Sequence, residues 1–124
     1  MKIVFNDVVP IYIQIADAIE DDILTGRLQE GENCYSQIQL AKELNINPAT
    51  AAKGIRLLVE RGILSKVRGQ AMTVKEDAVE MIKNRKLEQT LSELIEGLVR
   101  EAKKLEISQE MLLEKVQQTY QKTE

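Results

Sequence analysis

The stretch QIQLAKELNINPATAAKGIRLLVERGIL, residues 37–64, decides the fold. Leu40, Ala41, Leu44, Ile46, Ala51, Ile55 and Leu58 are apolar at the offsets two crossed helices need to bury a shared seam. Between those helices lies Asn45-Ile46-Asn47-Pro48. Asn45 ends the first helix, because asparagine tolerates the left-handed geometry usual at a C-terminal cap. Asn47 caps the second helix, and Pro48 suits its first position, where a missing N–H costs nothing. Ala49, Thr50, Ala52, Lys53 and Arg56 then face outward. Small side chains, a hydroxyl and two cations let a helix approach base edges in the major groove of DNA.

Upstream, Pro10 starts a helix in which Ile11, Ile15, Ile19 and Ile23 recur every four residues, widened by Tyr12, Ala16 and Leu24. Glu20, Asp21 and Asp22 are expected on its solvated face, since no histidine or partner motif turns them into a metal or acid/base site. Gly26 caps the helix, with Leu28 tucking back toward the core. Gly31 permits a turn, and Ser36 can cap the next helix.

Downstream, Arg61-Gly62 ends the outward-facing helix. Ile63–Val67 and Ala71–Val74 are short β-prone runs around Arg68-Gly69-Gln70, which predicts a hairpin. A hairpin directly after a helix-turn-helix forms a wing, and Lys66 and Arg68 near its tip would reach phosphates or the minor groove.

The overall charge of −3 conceals an uneven distribution. Residues 1–35 carry 2 cations against 7 carboxylates, residues 36–75 carry 7 against 2, and residues 76–124 carry 8 against 11. Positive charge therefore gathers in the stretch expected to face phosphates.

The order Pro10-Ile11-Tyr12-x-Gln14-Ile15, Gly26-x-Leu28-x-x-Gly31, Ser36-x-x-x-Leu40-Ala41, Asn47-Pro48-Ala49-Thr50, Arg61-Gly62-Ile63-Leu64 and Arg68-Gly69 resembles the GntR family of bacterial transcription regulators. The Asn-Pro-Ala-Thr turn and the short C-terminal part resemble its YtrA-like branch. The resemblance spans residues 8–75 by motif. It implies a dimeric regulator, usually a repressor, with an N-terminal winged helix and a C-terminal dimerisation or sensing part. The chain departs from the family at Ile38, Pro48 and Ala52, where many members have arginines, at Tyr35, usually proline, and at Gly69-Gln70-Ala71, usually Gly-x-Gly. The candidate DNA-binding set is Ser36, Gln37, Asn47, Pro48, Ala49, Thr50, Lys53, Arg56, Lys66, Arg68, Gly69 and Gln70.

Residues 77–105 carry a broad apolar stripe at helical spacing, including Val79, Ile82, Leu87, Leu91, Leu94, Ile95, Leu98 and Leu105. Glu106-Ile107-Ser108 marks a boundary, with Ser108 as N-cap of a last helix carrying Met111, Leu112, Leu113, Val116 and Tyr120. Two helices cannot cover such wide faces alone, but a second copy of the hairpin can. Leu87, Leu91, Leu94, Ile95, Leu98, Leu105, Leu112 and Val116 form the expected dimerisation face. Lys75-Glu76-Asp77, polar and without glycine or proline, reads as a hinge of limited range.

The expected architecture is thus mainly α with a small β-hairpin. Residues 1–75 form a winged helix-turn-helix DNA-binding domain, followed by a two-helix dimerisation hairpin over 76–124. With no histidine, one cysteine and no glycine-rich phosphate loop or nucleophile elbow, the chain offers no catalytic constellation. No metal or cofactor is expected. The absence of a signal-peptide pattern or a run of ~18 apolar residues points to a cytoplasmic protein that binds double-stranded DNA and itself, not a membrane. A hairpin of two helices leaves little room for an enclosed effector pocket, which commonly needs ~300 Å³, although an effector between subunits is compatible. The competing expectation is a winged-helix protein–protein interaction module. That would need an exposed apolar patch where Thr50, Lys53 and Arg56 present a polar, cationic one. Cys34 lacks a cationic neighbour in sequence and reads as a buried or idle thiol.

Overall fold

The computed structural model describes the whole chain except Lys2, Val67, Arg68, Gln70 and Glu124. Six α-helices and two short strands are present among the described residues: α1 (Ile11–Leu24), α2 (Gln37–Leu44), α3 (Pro48–Glu60), β1 (Leu64–Ser65), β2 (Thr73–Val74), α4 (Ala78–Arg85), α5 (Ser92–Lys104) and α6 (Gln109–Lys122). A π-helical segment, Lys86–Leu91, lies between α4 and α5. The chain divides into two compact units, Met1–Asn84 and Arg85–Glu124.

In the first unit α3 packs against both α1 and α2. Ile15, Ile19, Ile23, Leu40, Leu58 and Ile63 lie in one core, joined by Leu28 and Cys34. The helix ends follow local chemistry. Ser36 Oγ accepts the Gln39 N–H while Gln39 Oε1 accepts the Ser36 N–H, a capping box that satisfies two otherwise orphaned donors. Asn45 closes α2 with φ 52° and ψ 52°. Asn47 Oδ1 accepts the Ala49 N–H at 2.8 Å, with Pro48 in the first turn of α3. After α1, Gly26 takes φ +82° and the Leu28 N–H reaches back to the Asp22 carbonyl at 3.1 Å.

β1 and β2 pair antiparallel with Leu64 opposite Val74 and Ser65 opposite Thr73. The segment before α2 lies along the other edge of β2. There the Cys34 N–H donates to the Met72 carbonyl at 2.7 Å, and the Gly31 N–H to the Val74 carbonyl at 2.8 Å. The expected hairpin is therefore part of a small three-ribbon arrangement, with regular pairing shorter than the β-prone runs.

Two expectations differ from the structure. The first compact unit runs on to Asn84 instead of ending at residue 75, because Ala78 and Ile82 are fully buried in its core. The Lys75 N–H donates to the Ile63 carbonyl, and the Val79 N–H to Glu30 Oε2. The segment read as a hinge is thus hydrogen-bonded into the winged helix. The acidic face of α1 is not wholly solvated either. Glu20 is fully buried, its Oε1 accepting from Arg61 Nη1 at 3.1 Å, and the same nitrogen reaches Asp17 Oδ1 at 3.1 Å. A buried carboxylate needs such a charge-assisted partner.

In the second unit the π-helical segment leads into α5. Glu106 takes the left-handed conformation (φ 55°), with the Ile107 N–H returning to the Ala102 carbonyl. Ser108 Oγ then caps α6 by accepting the Met111 N–H at 3.1 Å. Among the described residues here Ala102 is buried and Leu112 half-buried, while the other large apolar side chains of α5 and α6 are exposed.

Candidate nucleic-acid interface

The α2–α3 pair presents one edge of α3 outward because the opposite edge is consumed by the core. Ala51, Gly54, Ile55 and Leu58 turn inward, leaving Ala49, Lys53 and Arg56 exposed and Thr50 half-buried. Ser36, Gln37, Asn47, Pro48, Lys66 and Gly69 are exposed as well. Arg68 and Gln70 lie outside the described residues.

These candidates do not all converge. A groove of about 390 Å³ brings Ser36, Gln37, Arg56 and Lys66 together between the start of α2, the flank of α3 and the wing. Its floor contains Cys34, Tyr35, Ala52, Ile55 and Met72. Lys53 instead lies with its ammonium 4.2 Å from the centroid of the Tyr12 ring. The Asn47 side chain is engaged as a helix cap, so it shapes the turn. Arg61, one of the clustered cations, is bound to Asp17 and Glu20, which reduces the charge available to an outside anion.

Cys34, which is buried, and Tyr35, which is half-buried, both line the groove. Burial pushes the Cys34 thiol up to about 11, so the thiolate is disfavoured near neutrality. Burial also raises the Tyr35 phenol, and its hydroxyl donates to Asp22 Oδ2 at 2.7 Å. Sequence reasoning placed neither Tyr35 nor Met72 in the groove. It read Tyr12 only as part of an apolar stripe, since its meeting with Lys53 depends on how α1 crosses α3.

Helix pair, turn chemistry, outward cationic edge and wing coincide with a family model, "Bacterial regulatory proteins, gntR family", that matches residues 11–74. The chain belongs to the gntR family. Members of this family are DNA-binding transcriptional regulators. The HTH-type transcriptional regulator YhcF of Bacillus subtilis is 31% identical over 110 residues, covering 89% of each chain. The mannosyl-D-glycerate transport/metabolism system repressor MngR of Escherichia coli is 36% identical over 70 residues. That match covers 56% of this chain but only 29% of MngR, so the likeness is confined to one part of the longer relative.

Among solved structures, a GntR family transcriptional regulator from Listeria monocytogenes is 32% identical with a TM-score of 0.77, over 92% of this chain and 98% of that one. BusR of S. agalactiae, solved in complex with its busA-promotor DNA, is 26% identical with a TM-score of 0.53, over 91% of this chain and 58% of BusR. The relatives this chain matches are transcriptional regulators, which are not enzymes. Among the described residues no helix is long and apolar enough to cross a membrane.

The expected dimerisation residues lie in the second unit. Leu87, Leu91, Leu94, Ile95, Leu98, Leu105 and Val116 are exposed and Leu112 is half-buried. Between α5 and α6 runs an open, almost wholly apolar groove of about 600 Å³, lined in part by Leu98, Leu105, Leu112, Val116 and Tyr120. It is open, not enclosed.

Proposed function

We propose that this chain is a sequence-specific transcriptional regulator that binds a palindromic operator as a homodimer, acts as a repressor, and belongs to the short YtrA-like branch of its family. The observation that carries the DNA-binding part is the outward edge of α3, where Lys53 and Arg56 are exposed on a helix held by two capped ends and a buried seam. A cationic, small-residue edge suits a phosphate-lined groove and would be a poor surface for an apolar protein partner.

Support for the homodimer comes from the second unit. Its exposed leucines would be costly to leave in water, and four helices from two copies bury them in one core. The apolar groove between α5 and α6 is then filled by side chains of the second copy, and a small effector would have to compete for that space. Dimerisation suits recognition, because one winged helix reads only a few base pairs. Two related by a two-fold axis read both halves of a palindrome, with centres ~34 Å apart. The Asn47-Pro48-Ala49-Thr50 turn and the short C-terminal part support the branch, and the likeness to MngR supports repression. A regulator of this kind works in the cytoplasm, where its operator is.

Selection of bound sequences from a random duplex pool tests the reading. The expected product is a palindrome whose half-site spacing is about one helical turn. Recovery of a single unpaired half-site would remove the dimeric arrangement, and recovery of no preferred sequence would remove sequence-specific regulation.

A further inference from the structure

Lys53 is one of the two exposed cations on the outward edge of α3, and its ammonium is already engaged: it sits over the face of the Tyr12 ring, 4.2 Å from the centroid. That lies well inside the ~6 Å over which a ring attracts a cation. The pair meets because α1 and α3 cross closely at Gly54. A Cβ at that position would come within 3.1 Å of both the Tyr12 carbonyl oxygen and Ile15 Cγ2. The start of α1 is also held by a clasp from the residues before it. Gln14 Oε1 accepts the Asn6 N–H at 3.0 Å, while Gln14 Nε2 donates to the carbonyls of Asn6 at 3.0 Å and Val9 at 2.6 Å. Asn6 Oδ1 in turn accepts the N–H groups of Val8 and Val9. The first turn of α1 is therefore anchored, and Tyr12 is presented to α3 in one place.

We propose that Tyr12 is a positioning residue for DNA binding, its ring holding the Lys53 ammonium at the edge of α3 where a backbone phosphate would meet it. The proposal rests on the reading of α3 as the DNA-facing helix. A lysine free in solvent gives up rotamer freedom when it meets a phosphate, and one already held over a ring has less to lose. The ring uses only one side of the ammonium. Its remaining hydrogens stay available to a phosphate, so ring and phosphate are simultaneous partners.

The test uses the full chain and the duplex recovered by random-pool selection, titrated at several salt concentrations. Tyr12→Leu should weaken binding about threefold, the size expected for losing an exposed cation–π contact. Its salt slope should move toward that of Lys53→Ala. Tyr12→Phe, which keeps the ring, should bind as the parent does. In a Lys53→Ala background Tyr12→Leu should add no further loss, because the coupling partner is gone. Equal losses with and without Lys53 would overturn the proposal, as would a Tyr12→Phe variant as weak as Tyr12→Leu, which would mean that the hydroxyl meets DNA itself. A readout independent of variant folding comes from the parent protein. Its Lys53 ε-methylene protons should be shifted upfield by the ring both free and on DNA, and disappearance of that shift in the complex would equally overturn the assignment. A parent that binds no duplex would instead defeat the DNA-binding reading, whereas a parent that binds with Tyr12 and Lys53 uncoupled defeats only this inference.

Discussion

In Met1–Asn84 the side chains of Ile15, Ile19, Ile23, Leu40, Leu58, Ile63 and Ile82 are at most 2% exposed, whereas in Arg85–Glu124 Leu94, Leu105 and Leu113 are 65%, 64% and 58% exposed. Both regions carry apolar residues at helical spacing, so composition does not separate them. Geometry does. In the first region α1 and α2 both pack on α3, and the small sheet joins them, so apolar stripes meet from several directions. In the second, α5 and α6 pack only loosely on each other, Ala102 is buried and no residue of α6 is, so their broad apolar stripes stay open. Burial is thus a property of how many faces converge, and the second region is left with an open apolar surface.

The sharpest way to break this contrast is to charge the open face. Leu94→Glu combined with Leu98→Glu should convert the proposed dimer to a monomer in light scattering at micromolar concentration. Two buried leucines contribute roughly 1.5–3 kcal/mol each, so dimer dissociation should rise by at least about 100-fold. The winged helix should keep its fold. A variant with the parent's mass would take α5 out of the interface.

The next effect is smaller and tests where the closed region ends. Ile82 lies beyond the expected boundary at residue 75 yet is fully buried in the first core. Ile82→Ala should lower stability in denaturant unfolding by about 2–5 kcal/mol, as for other buried large-to-small changes. A loss below about 0.5 kcal/mol, the range of ordinary surface substitutions, would mean that α4 is not part of that core.

The smallest effect concerns a local feature of the closed region. Ser36→Ala removes the oxygen that accepts the Gln39 N–H at 3.1 Å and should cost about 1 kcal/mol. The exposed start of α2 should loosen while the core stays intact, so amide exchange should quicken at Gln39 without changing at Leu58. Uniform acceleration at both positions would show that the cap supports the whole core.

The features legible in the sequence are those whose physics acts within a few residues. Ser36, Asn45, Asn47 and Ser108 could be read as helix ends because a side chain or backbone conformation completes each cap locally. The seam of α2 and α3 was legible because helical periodicity places Leu40, Ala51, Ile55 and Leu58 on facing stripes. The motifs around them were sufficient for the family resemblance.

What only the tertiary structure decided involves partners distant in sequence or a choice among equivalent faces. Arg61 meets Asp17 and Glu20 across 44 and 41 residues, taking Glu20 out of an apparently solvated acidic face and into a buried ion pair. Tyr12 reaches Lys53 because glycine at position 54 lets two helix backbones approach. Local spacing carries no information about either crossing. The polar run Lys75-Glu76-Asp77 looked like a boundary, but burial of Ala78 and Ile82 carries the first unit past it. Periodicity states which residues share a face of a helix; only the packing of the other elements determines what that face meets, because the contact depends on crossing angles and distances that no single helix encodes.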